Sequence, residues 1–253
     1  MEKQEVIFND LGQMAYKDAW DHQERLLQEN VQRKSEVRSR KSEAGVLENE
    51  MASHQPFTIY HSPLTTTHHL LFVEHPPVYT LGKSGNINNV LLNEEALKAR
   101  GIDFFHTNRG GDITFHGPQQ IVGYPILDLE KFYTDIGKYL RNIEEVIIQT
   151  LAEYDIKGDR SQGETGVWID PDIKGKERKI AAIGVRSSRW ITMHGFALNV
   201  NTDLNYFNFI IPCGIQHKQV TSIEKELGYK VDFEEAKEKV KRNFEKVFDV
   251  QLV

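Results

Sequence analysis

The chain has one cysteine among its 253 residues, Cys213, which lies between Pro212 and Gly214. A lone thiol cannot form a disulfide within its own chain, and it lacks the partner thiols that a structural zinc or iron–sulfur site requires. The thiol is either a candidate nucleophile or a small buried side chain, since free cysteines are among the most buried residues. The spacing alone favours the buried side chain.

A polar loop that contains glycine, residues 109–118, is a second candidate site. Its adjacent glycines, Gly110 and Gly111, allow the backbone to approach a ligand closely, and its arginine, threonine and histidine side chains offer polar contacts. The same residues suit a structural β-turn. The loop by itself therefore indicates a ligand-facing segment and a structural turn equally well.

Two further polar residues stand beside apolar, small-residue stretches. Lys179 opens a run to Gly184 that predicts a buried strand ending at a glycine turn, and His194 precedes Gly195 in a second β-rich run. A lysine at the edge of a strand usually extends its ammonium into water, and a single histidine is most often structural. Neither residue indicates catalysis on its own.

The composition excludes several classes of protein. The 31 basic and 37 acidic residues give a net charge of -6, which argues against general nucleic-acid binding because that binding needs clustered lysine and arginine. No apolar run reaches the length of a membrane span, and the N-terminus lacks the basic-then-apolar pattern of a signal peptide. We expect a cytoplasmic protein.

Motifs for cofactors are incomplete in this chain. Gly82-Lys83-Ser84 resembles the end of a phosphate-binding loop, but Pro77 stands where that motif needs its first glycine. The ten histidines include no His-Glu-x-x-His pattern, and paired cysteines are lacking. We expect no metal and no other cofactor.

Apolar spacings of three and four residues predict helices over residues 10–27, 135–154 and 233–248, the last after Asp232 as N-cap. Residues 28–53 are dense in charge, and we expect a weakly packed helix extension or a mobile linker there. Short β-rich runs predict strands at 58–60, 70–73, 120–127 and 196–200. This order lacks a regular strand–helix alternation and predicts a single α+β domain over residues 1–253.

Taken together, these segments resemble the lipoyl(octanoyl) transferases, the lipoate-protein ligase B family. The resemblance covers roughly residues 11–227 in the family's order. It is carried by Glu74-His75-Pro76-Pro77-Val78-Tyr79-Thr80-Leu81-Gly82, the 109–117 loop, Lys179-Ile180-Ala181, His194-Gly195-Phe196-Ala197-Leu198-Asn199 and Pro212-Cys213-Gly214. The implied fold is the biotin/lipoate protein ligase type, with mixed sheets flanked by helices and a distant kinship to class II aminoacyl-tRNA synthetases.

The resemblance also implies roles for individual residues. Cys213 would form an acyl-thioester intermediate, and Lys179 would lower the pKa of that thiol. The implied substrate-contacting residues are Arg109, Gly110, Gly111, Asp112, Ile113, Thr114, Phe115, His116, Ala182, Ile183, Gly184, Gly195, Phe196 and Ala197.

The implied reaction transfers an octanoyl or lipoyl group from acyl carrier protein to a lysine, as the first step of endogenous lipoate synthesis. The implied acceptors are the lipoyl domains of 2-oxoacid dehydrogenase E2 subunits and the glycine cleavage H protein. Two alternatives stay open: an ATP-dependent lipoate-protein ligase, which needs no cysteine, and a non-catalytic protein that binds acyl carriers. Candidates for a basic rim that would meet an acidic carrier are Lys83, Arg178, Arg186 and Arg189.

This chain departs from the family pattern at two places. Gln119 stands where the loop motif usually has glycine, which questions the backbone shape just beyond the loop. The polar stretch 170–176 before Lys179 is longer than expected, and we interpret it as a flexible hairpin tip.

Overall fold

A computed structural model describes residues 3–50, 65–211 and 219–253. The helices are α1 (Tyr16–Glu50), α2 (Glu94–Ala99), α3 (Ile136–Ala152), α4 (Ile223–Leu227) and α5 (Phe233–Phe248). The strands are β1 (Gln4–Gln13), β2 (His69–Glu74), β3 (Val78–Leu81), β4 (Asp103–His106), β5 (Ile113–His116), β6 (Gln120–Ile126), β7 (Gly158–Ser161), β8 (Glu164–Ile169), β9 (Arg178–Ser188), β10 (Ile191–Asn199), β11 (Gln219–Val220) and β12 (Val250–Leu252).

The strands form one large mixed sheet and one small sheet. The large sheet has the order β12-β1-β2-β6-β10-β9-β8-β7, with β11 paired to β9. The small sheet has the order β4-β3-β5. This α+β arrangement of mixed sheets and flanking helices confirms the predicted fold class.

Both faces of the large sheet are buried. Along β2, Leu70 and Phe72 pack with α3 and α5 on one face, whereas Leu71 and Val73 pack with α1 on the other. Successive side chains of a strand point to opposite faces. A strand that is covered on both faces is therefore apolar at most positions, which is why the runs at 70–73 and 120–127 predicted β2 and β6.

The apolar stripes of the two predicted amphipathic helices also agree with the structure. Asp232 caps α5 by accepting a hydrogen bond from the backbone N–H of Glu235, and Asp135 caps α3 by accepting one from Lys138. In α5, Ala236, Val240 and Phe244 lie in the large core. Side-chain caps satisfy backbone donors that a helix leaves open at its first turn.

The prediction for the N-terminal region was wrong in its first part. Residues 10–13 belong to strand β1, and the helix begins only at Tyr16. In β1 only Val6 is buried, so the strand shows little apolar alternation, and its place is set by parallel pairing with β2 and β12.

Residues 28–50 continue α1, and the weak packing expected there is not what the structure shows for its first turns. Asn30 and Lys34 are buried, and the Lys34 ammonium lies 2.7 Å from a carboxylate oxygen of Asp128. The predicted strand at 58–60 lies outside the described residues. In the described part of the chain, every helix is too short or too polar to cross a membrane.

Candidate active site

A cavity of about 400 Å³ lies between the loop that precedes β5 and the middle strands of the large sheet. Thirteen residues predicted as catalytic or substrate-contacting line it: Arg109, Gly111, Asp112, Ile113, Thr114, His116, Lys179, Ala182, Ile183, Gly184, Gly195, Phe196 and Ala197. Segments that lie far apart in sequence therefore meet at one site.

Two predicted residues do not line the cavity. Thr114 and His116 take the cavity side of β5, so Phe115 between them faces the other side, where its ring stacks on Tyr206 at 4.6 Å. Gly110 contributes backbone only: its N–H donates to the carbonyl of Val185 at 2.9 Å. Cys213 lies within 212–218, outside the described residues.

The side chain of Arg109 is held by neighbouring oxygen acceptors at Thr80 and Gly110. One terminal nitrogen donates to the Thr80 carbonyl at 2.5 Å and to the Thr80 hydroxyl at 2.9 Å, and the other donates to the Gly110 carbonyl at 2.9 Å. We call Thr80, Arg109, His116 and Gln120 the arginine wall. Two glycines make room for the Arg109 side chain, because a Cβ at Gly82 would lie 2.9 Å from its guanidinium and one at Gly184 would lie 3.1 Å from its Cδ.

His116 of this wall and the nearby His75 and His194 are buried, and burial is the main cause of the lowered pKa of each. The pKa falls to about 4 for His75 and to about 3 for His194, where the nearby Arg109 and Arg186 lower it further. For His116 it lies well below the usual value. These imidazoles are therefore neutral at neutral pH.

Lys179 lines the same cavity and is held differently. Its ammonium lies 3.4 Å from the Thr165 carbonyl oxygen and 4.6 Å from the centroid of the Trp168 ring. We call Thr165, Gly166, Trp168 and Lys179 the lysine wall. Gly166 has φ +126°, and a Cβ there would lie 2.6 Å from the Ala181 carbonyl and 3.4 Å from the Lys179 side chain.

A buried carboxylate fixes the backbone of the lysine wall. Glu144 on α3 accepts a hydrogen bond from the Gly166 N–H at 3.1 Å. Its other oxygen lies 2.7 Å from Arg141 and 3.1 Å from Arg160. The two arginines compensate the charge of a carboxylate that has no exposed surface, as a buried charge requires.

Both described neighbours of the 212–218 segment are attached to this cavity. On one side, the Ile211 N–H donates to the carbonyl of Asn89, whose side-chain amide donates to Asp112 of the loop at 2.6 Å. On the other side, β11 pairs with β9 so that Val220 stands opposite Lys179. The described residues that flank 212–218 are therefore joined to two segments that line the cavity, the loop at Asp112 and β9 at Lys179.

Sequence reasoning missed several lining residues. Gln120, Val122 and Tyr124 lie on one side of β6 and line the cavity. Because side chains alternate between the two faces of a strand, predicting the strand could have grouped these three residues on one face. Tyr16 carried no such signal. The remaining missed residues are Ser84, Glu164, Thr165, Phe207 and Val220; His194 and Asn199 also line the cavity and were named only as members of a motif, without a contact to substrate.

The structure explains how Gln119 replaces the usual glycine. Its φ is +61°, the left-handed region that glycine adopts without cost. Its N–H donates to Glu74 at 2.7 Å, its carbonyl accepts from Thr202, and its side-chain oxygen accepts from Asn201 at 2.8 Å. These contacts hold a glutamine in a conformation that costs it roughly 1–2 kcal/mol.

Two of the four residues suggested for a basic rim are paired within the chain. Arg178 makes ion pairs with Glu226 and Asp170, both at 2.6 Å, and Arg186 pairs with Glu24 at 2.7 Å. Their charges are therefore largely compensated. The 170–176 stretch connects the antiparallel strands β8 and β9, as predicted for a hairpin tip.

Comparisons with known proteins agree on one family. The model described as "Lipoyl protein ligase A/B catalytic domain" matches residues 15–245. A protein from Flavobacterium psychrophilum named octanoyltransferase is 54% identical over 98% of both chains. Another of the same name, from Cytophaga hutchinsonii, is 46% identical over 98% of this chain and 94% of its own.

Solved structures with the same fold are more distant in sequence. A bipartite lipoate protein ligase from Thermoplasma acidophilum superposes with a TM-score of 0.63 at 15% identity, over 100% of this chain and 86% of that chain. A lipoate-protein ligase A bound with ATP gives a TM-score of 0.61 at 14% identity, over 100% and 88%. At these identities the likeness shows the fold alone.

Proposed function

The chain belongs to the lipoyl protein ligase A/B catalytic-domain family, and we propose that it transfers an octanoyl group from acyl carrier protein to a lysine of a lipoyl domain through a thioester on Cys213. It is an acyltransferase, as its octanoyltransferase relatives are. The observation that carries the proposal is that the described residues on both sides of the Cys213 segment are joined to segments that line one cavity. Ile211 is joined through Asn89 to the loop at Asp112, and Val220 pairs with Lys179.

In the first half-reaction, the Cys213 thiolate attacks the thioester carbonyl of the donor. A bond forms between the Cys213 sulfur and the acyl carbon, and the bond to the carrier sulfur breaks, so the carrier thiolate leaves and takes up a proton. A free thiol is mostly protonated at neutral pH. An ammonium about 4 Å away would favour the thiolate by roughly 4 kcal/mol at an effective dielectric near 20, before desolvation is subtracted.

In the second half-reaction, the amine of the acceptor lysine attacks the Cys213 thioester. An amide bond forms, the carbon–sulfur bond breaks, and the amine loses a proton. Lys179, neutral once its proton has passed to the leaving carrier thiolate, takes that proton. The ammonium is thereby restored beside the thiolate, and the enzyme returns to its starting state.

The lining of the cavity suits an acyl chain without polar groups. Val122, Ile183 and Phe196 contribute apolar side chains beside the polar walls. A cavity of this size falls in the range of small-molecule sites, in which apolar surface supplies affinity and a few polar groups fix orientation.

A mass-spectrometric assay tests the proposal. The purified protein is incubated with octanoyl-acyl carrier protein, and then with an apo lipoyl domain, without ATP. We expect a covalent octanoyl adduct on the intact chain, sensitive to hydroxylamine, followed by octanoylation of the domain. Cys213→Ala should abolish the adduct. An adduct of the same mass on that variant, or transfer that requires ATP, would overturn the proposal in favour of another nucleophile or of an ATP-dependent ligase.

The role of Lys179 has its own test. Because Cys213 is the only cysteine, alkylation by iodoacetamide reports on this thiol alone. The pH dependence of the alkylation rate gives the thiol pKa, which we expect to rise in Lys179→Ala and to stay unchanged in the control Lys176→Ala, an exposed lysine of the hairpin tip. An equal pKa in all three proteins would remove Lys179 from the mechanism.

A further inference from the structure

We propose that Gln120 is a positioning residue that holds His116 in the tautomer with its proton on Nδ1, so that His116 serves as a fixed hydrogen-bond acceptor toward Thr80 and not as a general acid or base. Both His116 and Gln120 line the cavity. The proposal deepens the function proposed above, since it concerns the same site, but its ring-nitrogen test does not depend on octanoyl transfer.

His116 belongs to a series of side-chain hydrogen bonds that runs from Arg109 to the Thr221 carbonyl. The direction of these bonds can be worked out from the Thr221 end. The Thr221 carbonyl can only accept, so the side-chain NH2 of Asn199 faces it, at 2.9 Å. The Asn199 oxygen therefore faces Gln120 and accepts from its NH2 at 2.8 Å. That NH2 also donates to the Phe115 carbonyl at 3.2 Å. Two acceptors thus fix the orientation of the Gln120 amide.

This orientation decides the tautomer of His116. The Gln120 oxygen lies 2.9 Å from Nδ1 of His116. An amide oxygen has no proton to donate, so Nδ1 must carry one. In the neutral imidazole, Nε2 is then the nitrogen with the lone pair.

At the Arg109 end of this hydrogen-bond series, the donors and acceptors point in the same direction. Nε2 of His116 lies 3.3 Å from the Thr80 hydroxyl, which accepts from Arg109 at 2.9 Å. Since a guanidinium only donates, the hydroxyl proton of Thr80 is available to Nε2. Every bond therefore points the same way, in the order Arg109, Thr80, His116, Gln120, Asn199 and Thr221.

The surroundings of His116 keep its ring neutral. Burial is the largest effect, and His75 from the β2–β3 connection, Arg109 from the loop and His194 from β10 add to it, while the bond to Gln120 opposes it. The ring of Tyr16 on α1 stacks on the imidazole at 6.0 Å. A neutral ring is what a bare Nε2 requires.

The chain of hydrogen bonds also connects the two walls of the site. The series starts at Arg109 and ends at the carbonyl of Thr221. The backbone N–H of Thr221 in turn donates to the Lys179 carbonyl at 2.9 Å. Gln120, at its centre, thus aligns the arginine wall with the strand that carries Lys179. Bonds that all point the same way polarise one another and strengthen the chain.

Nitrogen NMR of ring-labelled histidine in the full chain tests the tautomer directly, with the His116 signals assigned from their absence in His116→Gln. We expect a protonated Nδ1 and a bare Nε2 between pH 8 and pH 5. A proton on Nε2, or protonation of both nitrogens within that range, would overturn the proposal whether or not the protein transfers octanoyl groups.

Two variants of Gln120 separate positioning from packing. Gln120→Glu still accepts from Nδ1 but adds a negative charge and cannot donate to Asn199, so His116 should become protonated at higher pH. Below that new pKa, activity should fall about tenfold per pH unit, and it should recover at high pH. Gln120→Met has similar length but no polar atoms, and it should give a mixture of tautomers without this acid limb. Unchanged tautomer and pH profile in both variants would contradict the proposal.

Discussion

Arg109 and Lys179 line the same cavity, and the protein holds the two cations in different ways. The guanidinium of Arg109 donates to Thr80 and Gly110 through bonds of 2.5–2.9 Å. The ammonium of Lys179 lies over the face of Trp168 at 4.6 Å and 3.4 Å from a carbonyl oxygen. A planar guanidinium with fixed donors suits a permanent structural role, whereas a compact ammonium can change its protonation state.

The difference extends to the surroundings of each cation. The arginine wall is joined to other segments by side-chain hydrogen bonds and adjoins buried neutral histidines. The lysine wall depends on backbone: a glycine at φ +126° whose N–H is held by a buried carboxylate. We infer that the arginine wall fixes the shape of the site and that the lysine wall leaves room for a reactive side chain.

Replacing each cation with the other kind of basic residue, in separate variants, should give the largest changes in activity and stability. Lys179→Arg removes the only proposed base, because a guanidinium stays protonated, and kcat/KM for octanoyl transfer should fall by about 10²-fold or more with little change in stability. Arg109→Lys should instead lower the free energy of unfolding by about 3 kcal/mol, since an ammonium cannot reproduce the bonds of the buried fork. Steady-state kinetics and urea unfolding measure both, and the reverse pattern would refute the comparison.

Two glycines test whether backbone space positions the lysine wall. In Gly166→Ala, the new Cβ meets the Ala181 carbonyl and approaches the Lys179 side chain, so we expect a loss of about 3 kcal/mol in unfolding free energy and about tenfold in activity. Gly163→Ala is the matched control, because Gly163 also has positive φ (+78°) but open space around its Cβ position. It should cost about 1 kcal/mol and leave activity intact. Equal losses of stability and activity in the two variants would show that positive φ alone causes them, and not the contacts of the new Cβ with Ala181 and Lys179.

Acid should destabilise the region of the arginine wall. The pKa of His75 is lowered to about 4 and that of His194 to about 3 in the folded protein, against about 6.5 in an unfolded chain. The unfolded state therefore binds more protons as pH falls below 6.5, and each histidine removes up to about 1.4 kcal/mol of stability per pH unit down to its folded pKa. Urea unfolding at pH 7 and pH 5 should show this slope, and His75→Gln should reduce it. The control His106→Gln changes an exposed histidine and should leave the slope as it is.

The smallest change in stability is expected at Gln119, which lies between His116 at the end of β5 and Gln120 at the start of β6. Gln119→Gly relieves the cost of φ +61° but loses the bond to Asn201, so stability should stay within about 1 kcal/mol of the original protein. Gln119→Ala loses the bond and keeps the strain, and it should be about 1 kcal/mol less stable than Gln119→Gly. Thermal unfolding of the pair measures this difference. If the alanine variant were the more stable one, backbone strain would not be the reason for glycine at this position.

Much of the local structure could be predicted without the fold. Helices α3 and α5 have strong apolar stripes and side-chain caps, so their bounds follow from periodicity and from Asp135 and Asp232. Strand β1 could not be predicted this way, because its residues are mostly exposed and its pairing partners, β2 and β12, are distant in sequence.

The same division holds within the site. The motifs that carried the resemblance named Arg109, Lys179 and Ala182, and the structure places all three at one cavity. It places Phe115 on the other side of β5, which a motif cannot show because it does not say which side of a strand a residue faces. Tyr16 and Thr165 were missed because each reaches the cavity only through the packing of its helix or strand.

Periodicity and composition suffice to predict the two amphipathic helices, the buried strands and the reactive residue types, since these depend on neighbours a few positions away. The surroundings of Arg109 and Lys179, and the hydrogen-bond partners of His116, follow only from the fold. Burial and hydrogen-bond direction arise from contacts between distant segments: Gln120 meets Asn199 across the paired strands β6 and β10, and such contacts exist only in the folded chain.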